Sequence, residues 1–184
     1  EREGWDLDEI AALYRSNAQS RVIEQSLFRS GIPYKIYGGL RFYERQEIKH
    51  ALAYLRLAVN PDDDNALLRV INFPPRGIGA RTIENLQTAS SEQGITLWQA
   101  ACNAGAKAAK VAAFVRLIEA LRNQVGQMPL PEIIVGILKD SGLTEHYRTQ
   151  KGDNQDRLDN LDELVNAAIE FKPEDSNFET LPEN

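Results

Sequence analysis

Cysteine is nearly missing from this chain. Cys102 stands alone among 184 residues, so no internal disulfide can close and no cysteine-based zinc site can be assembled. Histidine is almost as scarce. His50 and His146 leave metal-dependent and His-triad chemistry little to work with, and no metal site is expected. No run approaches the ~20 apolar residues that a membrane span needs. No charged-then-apolar leader opens the chain, so a reduced, cytoplasmic setting without membrane partners is expected. The sole methionine, Met128, lies well inside, and Glu1 therefore reads as a cut end of an excised or processed form. Three phosphate or nucleophile motifs are also missing: G-x-x-x-x-G-K-[ST], G-x-G-x-x-G and G-x-S-x-G. With no cradle for a triphosphate and no nucleophile elbow, the chain alone is expected to catalyse nothing and to carry no catalytic residue.

What is present is a globular composition, 42% hydrophobic and 26% charged. The net charge of −6 hides a segregation. From Leu13 to Arg56, eight bases (Arg15, Arg21, Arg29, Lys35, Arg41, Arg45, Lys49, Arg56) face three acids (Glu24, Glu44, Glu47), a local +5. From Asp153 onward ten acids face two bases, a local −8. The basic part also carries Tyr14, Phe28, Tyr34, Tyr37, Phe42, Tyr43 and Tyr54. Base and aromatic together suit a polyanion with stackable rings, that is, single-stranded nucleic acid. A solvated basic face over core aromatics accounts for the same residues.

Periodicity divides the chain. Ile10 to Tyr14 reads as a short buried strand, Gln19 to Arg29 as a helix with Val22, Ile23, Leu27 and Phe28 on one side, and Tyr34 to Tyr37 as a second strand. Gly31 and Pro33 supply the stop between them. Strand, helix and strand make a βαβ piece of an incomplete α/β domain over residues 1–39. Residues 40–172 read as an all-α domain. Phe42 to Val59 is a long helix with an apolar stripe of Ile48, Leu52, Leu55 and Val59, and with Arg45, Lys49 and Arg56 on another face. Asp62, Asp63 and Asp64 suit the next helix start, and Leu67 to Ile71 continues it to Pro74. Further helices are expected from about Arg81 to Ser90, after Thr96 with Trp98 buried, from Ala104 to Val125 around Phe114, Leu117, Ile118 and Leu121, and from Pro131 past Leu138 to a Gly142 cap. Leu158, Leu161, Leu164, Val165 and Ile169 mark a last amphipathic helix. Residues 173–184 form an acidic tail expected to fray. The fold class expected is mainly α.

Three constellations could carry function. Between two helices lies Pro75-Arg76-Gly77-Ile78-Gly79-Ala80-Arg81-Thr82. Two glycines around one apolar residue make a tight hairpin whose amides, with the following helix start, can meet a phosphate. Arg76 and Arg81 add charge, and Ile78 would plug into the core. This is a helix-hairpin-helix pattern that grips duplex backbone without reading sequence; a plain helix–helix turn uses glycine in the same way. Tyr14-Arg15-Ser16-Asn17 would sit at the carboxyl end of a strand, where Arg15 could bond a phosphate and Asn17 a base or sugar edge, or where Ser16 or Asn17 could simply cap a helix. Lys49 could reach a phosphate from a solvated helix face.

These pieces in this order resemble the UvrD/PcrA/Rep family of superfamily 1 DNA helicases. The run from Ala11 to Glu24 (AALYRSNAQSRVIE) is similar to motif IVa of that family, and Ile36 to Lys49 to its passage from subdomain 2A into 2B. Asn60-Pro61-Asp62-Asp63-Asp64, Pro75-Arg76-Gly77-Ile78-Gly79 and Arg157 to Leu164 resemble 2B. The resemblance implies a parent that is an ATP- and Mg2+-dependent 3′-to-5′ helicase in DNA repair or replication restart. Its partners would be DNA at a single-strand/duplex junction, the rest of the motor, and repair proteins. It implies that Arg15 and Asn17 touch single-stranded DNA, and that Lys49, Arg76, Gly77, Ile78, Gly79, Arg81 and Thr82 meet the duplex. Gly38 and Gly39 would be a hinge. One departure is His50, where the family usually has Asp; it would put a neutral or weakly basic group beside the duplex. The ATP-binding domains and the γ-phosphate arginines have no counterpart in these residues, so ATP hydrolysis is not expected here. The acidic last helix would face away from DNA. Two other readings stand beside this one: a stand-alone helix-hairpin-helix module, and a protein-docking or autoinhibitory module.

Overall fold

The computed structural model describes residues 6–37, 39–105, 108–152 and 154–171. The chain is mainly helical, with no strand among the described residues. Its helices are α1 (Ser20–Arg29), α2 (Gln46–Val59), α3 (Asp64–Val70), α4 (Ala80–Gln93), α5 (Leu97–Gly105), α6 (Ala109–Gln124), α7 (Leu130–Asp140), α8 (Leu143–Thr149) and α9 (Gln155–Glu170). Short 3-10 turns lie at Leu7–Glu9, Asn17–Gln19 and Phe42–Glu44. The expected acidic tail at 173–184 lies outside the described residues.

The helix boundaries follow local chemistry. Asp63 caps α3 by accepting from the Ala66 amide at 2.9 Å. Thr96 and Gln99 exchange side-chain bonds to each other's amides at 3.2 and 3.1 Å, which starts α5. Gly142 takes φ +80° between α7 and α8, a conformation that a Cβ makes costly. The helix expected after Thr96 is α5, and the one expected from Ala104 to Val125 is α6, which starts at Ala109 because α5 runs to Gly105. The short α8 is not foreseen by periodicity, because seven residues give too few turns to show a stripe.

One core joins α2 to α9. Its largest fully buried side chains include Tyr54, Tyr147, Phe42, Phe114, Ile48, Leu57, Leu67, Ile71, Ile118 and Leu121. Helix α2 is central and packs on α3, α6, α7 and α9. Its buried face is Ile48, Ala51, Tyr54, Leu57 and Ala58, not the expected Ile48-Leu52-Leu55-Val59 stripe. Val59 is 65% exposed, whereas Tyr54 is fully buried. Alanine and tyrosine fill much of that buried face. A helix enclosed by four others needs small residues where backbones approach closely.

The βαβ expectation is not met. Helix α1 forms, but Ile10 to Tyr14 and Tyr34 to Tyr37 hold no regular structure. A strand exists only by pairing, and neither segment finds a ladder partner among the described residues. Leu13 is accordingly 95% exposed. The apolar side of α1 is also largely uncovered, with Val22 and Phe28 exposed and only Ser20 and Arg21 buried.

Polar groups hold this N-terminal part to the bundle instead. Arg45, expected on a solvated face, is 7% exposed. Its guanidinium donates to Asn17 O at 2.6 Å, Ser20 Oγ at 2.7 Å, Asn160 Oδ1 at 2.7 Å and Leu40 O at 3.4 Å. Asn160 in turn donates to Glu47 Oε1 at 2.7 Å. Arg21, 3% exposed, donates to Glu163 at 2.5 Å, Glu170 at 3.0 Å and Gln25 at 2.9 Å. Burial alone would lower the Arg21 pKa, but the bonds to Glu163 and Glu170 raise it above the ordinary arginine value. Replacing Asn160 by leucine keeps the branched shape but removes one of the bonds to Arg45 and the amide donor to Glu47 Oε1. Asn160→Leu is expected to cost about 2–4 kcal/mol of stability, read from the urea midpoint at unchanged slope.

Candidate nucleic-acid interface

The connection from α3 to α4 is built to be rigid. Pro74 and Pro75 contribute no amide hydrogens. The next donors are gathered by one side chain: Asn72 Oδ1 accepts from Arg76 N at 2.9 Å and from Ile78 N at 3.0 Å. Ile78 is buried to 1% exposure and plugs the turn into the core. Gly77 takes φ +71°, which this reversal requires.

Arg76 is half-buried and bonded within the fold. Its guanidinium donates to Val70 O at 3.3 Å, Pro74 O at 2.9 Å and Ser141 O at 2.7 Å. It also sits 5.6 Å from the Tyr54 ring centroid and 5.8 Å from that of Phe114. Beneath it, Tyr54 Oη donates at 2.5 Å to Phe73 O, with Val70 O at 3.3 Å. Burial pushes the Tyr54 hydroxyl up to about 12, so it stays a donor. Arg76 thus ties the α3–α4 connection to the α7–α8 junction, with its guanidinium directed inward.

The outer side of the α3–α4 connection is open. Gly77, Gly79, Ala80 and Arg81 are exposed. Among the described residues no acceptor meets the amides of Gly79, Ala80 and Arg81, the first N–H groups of α4. Gly79 O is occupied by the amides of Thr82 at 3.0 Å and Ile83 at 3.2 Å. Gly79 has φ −78°, which any residue adopts, and a Cβ there would meet nothing within 4 Å. The fold itself does not require glycine at this position. Thr82 is half-buried in the first turn of α4, and Arg81 beside it carries exposed charge.

Other expected site residues are scattered. Lys49 is half-buried on α2. Arg15 is exposed, with its amide bonded to Gln19 Oε1 at 3.0 Å. Asn17 is exposed, but its Nδ2 donates to Asp156 Oδ2 of α9 at 2.9 Å. Gly39 lies in a bend with open space where a Cβ would be, and Gly38 lies outside the described residues. The charge segregation is thus partly internal, because acidic α9 engages Asn17 and Arg21 of the basic segment. Lys110, which no motif marked, reaches the hairpin from α6 and donates to Gly77 O at 3.3 Å. In the sequence it is only one of two lysines, with Lys107, in an alanine-rich stretch.

His50 is not a surface base. It stacks on Phe73 at 3.8 Å and 21°, with Nδ1 3.3 Å from Tyr147 Oη. Burial, aided by Arg69, His146 and Arg157, holds its pKa down to about 4. The ring is neutral at pH 7, so Nδ1 can accept a hydrogen bond from the Tyr147 hydroxyl. Among the described residues no group of three or more metal-ligating side chains is formed, and no helix is long and apolar enough to cross a membrane.

Comparison with known proteins gives one consistent answer. The family described as "UvrD-like helicase C-terminal domain" matches residues 2–182. The chain is 46% identical to DNA helicase II of Escherichia coli (strain K12) over 97% of its own length and 26% of that protein's. It is 50% identical to DNA helicase II of Haemophilus influenzae over 94% of the chain and 25% of that protein. It is 40% identical to ATP-dependent DNA helicase PcrA of Bacillus subtilis over 90% of the chain and 23% of that protein. The chain therefore spans about a quarter of the length of these curated relatives.

Two outcomes follow from the geometry. Arg76→Ala removes a charged donor from three carbonyls and is expected to lose about 2–3 kcal/mol, seen as a lowered urea midpoint. His50 has a folded pKa near 4 against 6.5 ordinarily, so the unfolded chain takes up its proton first as pH falls. Stability is therefore expected to drop as pH goes from 6.5 towards 4. His50→Gln should flatten that part of the curve relative to the parent chain, as followed by thermal melts.

Proposed function

Because the chain belongs to the UvrD-like helicase C-terminal domain family, we propose that it is the DNA-engaging, 2B-like part of an ATP-dependent 3′-to-5′ DNA helicase of repair or replication restart. In this reading residues 40–172 engage duplex ahead of the fork and residues 1–39 belong to the 2A side. Arg15 and Asn17 lie towards the single strand, and Gly38-Gly39 is the hinge. Partners are a single-strand/duplex junction, the remaining motor and repair proteins. ATP and Mg2+ serve the parent. No triphosphate loop occurs in the 184 residues, so no step through those groups is assigned to this chain.

The single observation that supports duplex engagement is the hairpin's outer side. Three amides without acceptors, exposed Arg81, and a glycine that the fold does not need all occur together at Gly79-Ala80-Arg81. Backbone amides and guanidinium groups bind phosphates without selecting bases, and a missing Cβ lets a phosphate come close. Relative to the expected set, Arg76 and Ile78 hold the loop in shape while Gly79, Arg81 and Thr82 face the ligand. Lys49 remains a peripheral contact.

Such binding is electrostatic, so log K should fall linearly with log salt, by about 0.9 per phosphate engaged. Arg81→Ala is expected to reduce that slope by about 0.9 on a forked duplex while leaving the melting temperature unchanged. Gly79→Ala should weaken binding with no loss of stability. Fork binding indifferent to both substitutions would mean that the hairpin is only a turn, and would return the chain to the docking-module reading.

A further inference from the structure

We propose that Lys110 of α6 is a further duplex-phosphate contact, completing the hairpin's binding surface from a helix that no sequence motif implicates. The inference rests on the hairpin reading above and adds a residue to it. Lys110 is exposed, and among the described residues its ammonium has one partner, the carbonyl of Gly77 at 3.3 Å. No carboxylate pairs with it among those residues. An ammonium has three donors, so two remain for an external acceptor. The placement is intimate: a Cβ added to Gly77 would fall 2.5 Å from Lys110 Nζ. The lysine therefore lies directly against the crest of the hairpin, across 33 residues of sequence.

This location gives the lysine a purpose that the fold alone does not. A surface lysine bonded to a neutral carbonyl contributes little to stability, and its long side chain loses rotamer freedom when held there. Arg76, the nearer cation in sequence, is half-buried with its guanidinium directed at three carbonyls, so exposed charge beside Arg81 has to come from elsewhere. Lys110 supplies it. A phosphate approaching the free amides of Gly79, Ala80 and Arg81 would then meet Arg81 from α4 and Lys110 from α6. Such a site holds two cations, one on each of two helices. A phosphodiester backbone fits this better than an acidic peptide, because its charges recur at fixed spacing and need no side-chain pocket.

The test uses the 184-residue chain and a blunt DNA duplex, with affinity measured by fluorescence anisotropy at several salt concentrations from about 50 to 200 mM. Lys110→Ala is expected to lower the magnitude of the log K against log salt slope by about 0.9, and Lys110→Arg to restore it. Arg122→Ala, exposed on the same helix but twelve residues on and so about 18 Å away, should leave the slope unchanged. An unchanged slope for Lys110→Ala alongside a reduced one for Arg81→Ala overturns the Lys110 assignment and keeps the hairpin. Unchanged slopes for both, or no binding by the parent chain at the lowest salt, overturn both. An equal loss with Arg122→Ala also overturns the assignment, since diffuse positive charge would then suffice. Thermal melts of each variant separate lost binding from lost folding.

Discussion

The outward face of the α3–α4 turn depends on one problem of hydrogen-bond satisfaction. The connection from α3 to α4 must reverse the chain while carrying buried carbonyls from Val70, Phe73 and Pro74. Two prolines deprive it of donors. Asn72, Arg76 and Tyr54 provide the answer: the Asn72 carboxamide gathers amides, while the guanidinium and the phenol serve the carbonyls. With the inner polar groups satisfied, Ile78 can be buried and the amides at the start of α4 are left facing out. A buried carbonyl without a donor costs about 1–3 kcal/mol, so the hairpin's shape is held by the same bonds that pay its desolvation.

A second constraint is electrostatic. The basic first third and the acidic last helix look separate in sequence, yet they meet in space. Arg21 is enclosed by Glu163 and Glu170, and Asn17 bonds Asp156. Arg45 is buried through a network that includes Asn160 and Glu47. Two of the eight bases in that first third, Arg21 and Arg45, are thereby held internally. Among the described residues the cations at the outer side of this turn are Arg81 and Lys110, so any grip on DNA by this surface rests on a small number of contacts and carries a correspondingly small salt slope. Apolar packing contributes little to holding α1, whose buried residues are Ser20 and Arg21.

Helix positions from residue 42 to 171 were largely readable because they rest on short-range chemistry. The Asp63 and Thr96 caps, Pro131 at the start of α7 and the periodic apolar residues of α6 and α9 each act within a turn or two. The family could be read in the same way, from runs of side chains such as AALYRSNAQSRVIE and PPRGIG. So could Ile78 as a plug, since one apolar residue between two glycines has few other uses.

Long-range pairing was not readable. Ile10 to Tyr14 has the composition of a strand, but a strand is a property of two segments, and the sequence of one does not reveal whether the other is present. Arginine is ambiguous for the same reason: Arg45, Arg76 and Arg81 look alike along the chain, and only the arrangement of α9, α7 and α4 turns two of them inward and leaves the third at the surface. Lys110 gained its place because α6 packs beside the hairpin. The sequence by itself determined which segments coil, where they stop and to which family they belong, because those depend on neighbours along the chain. Which charges remain available to a ligand was decided by tertiary structure alone, because a cation's availability depends on which carbonyls and carboxylates folding brings within about 3 Å of it.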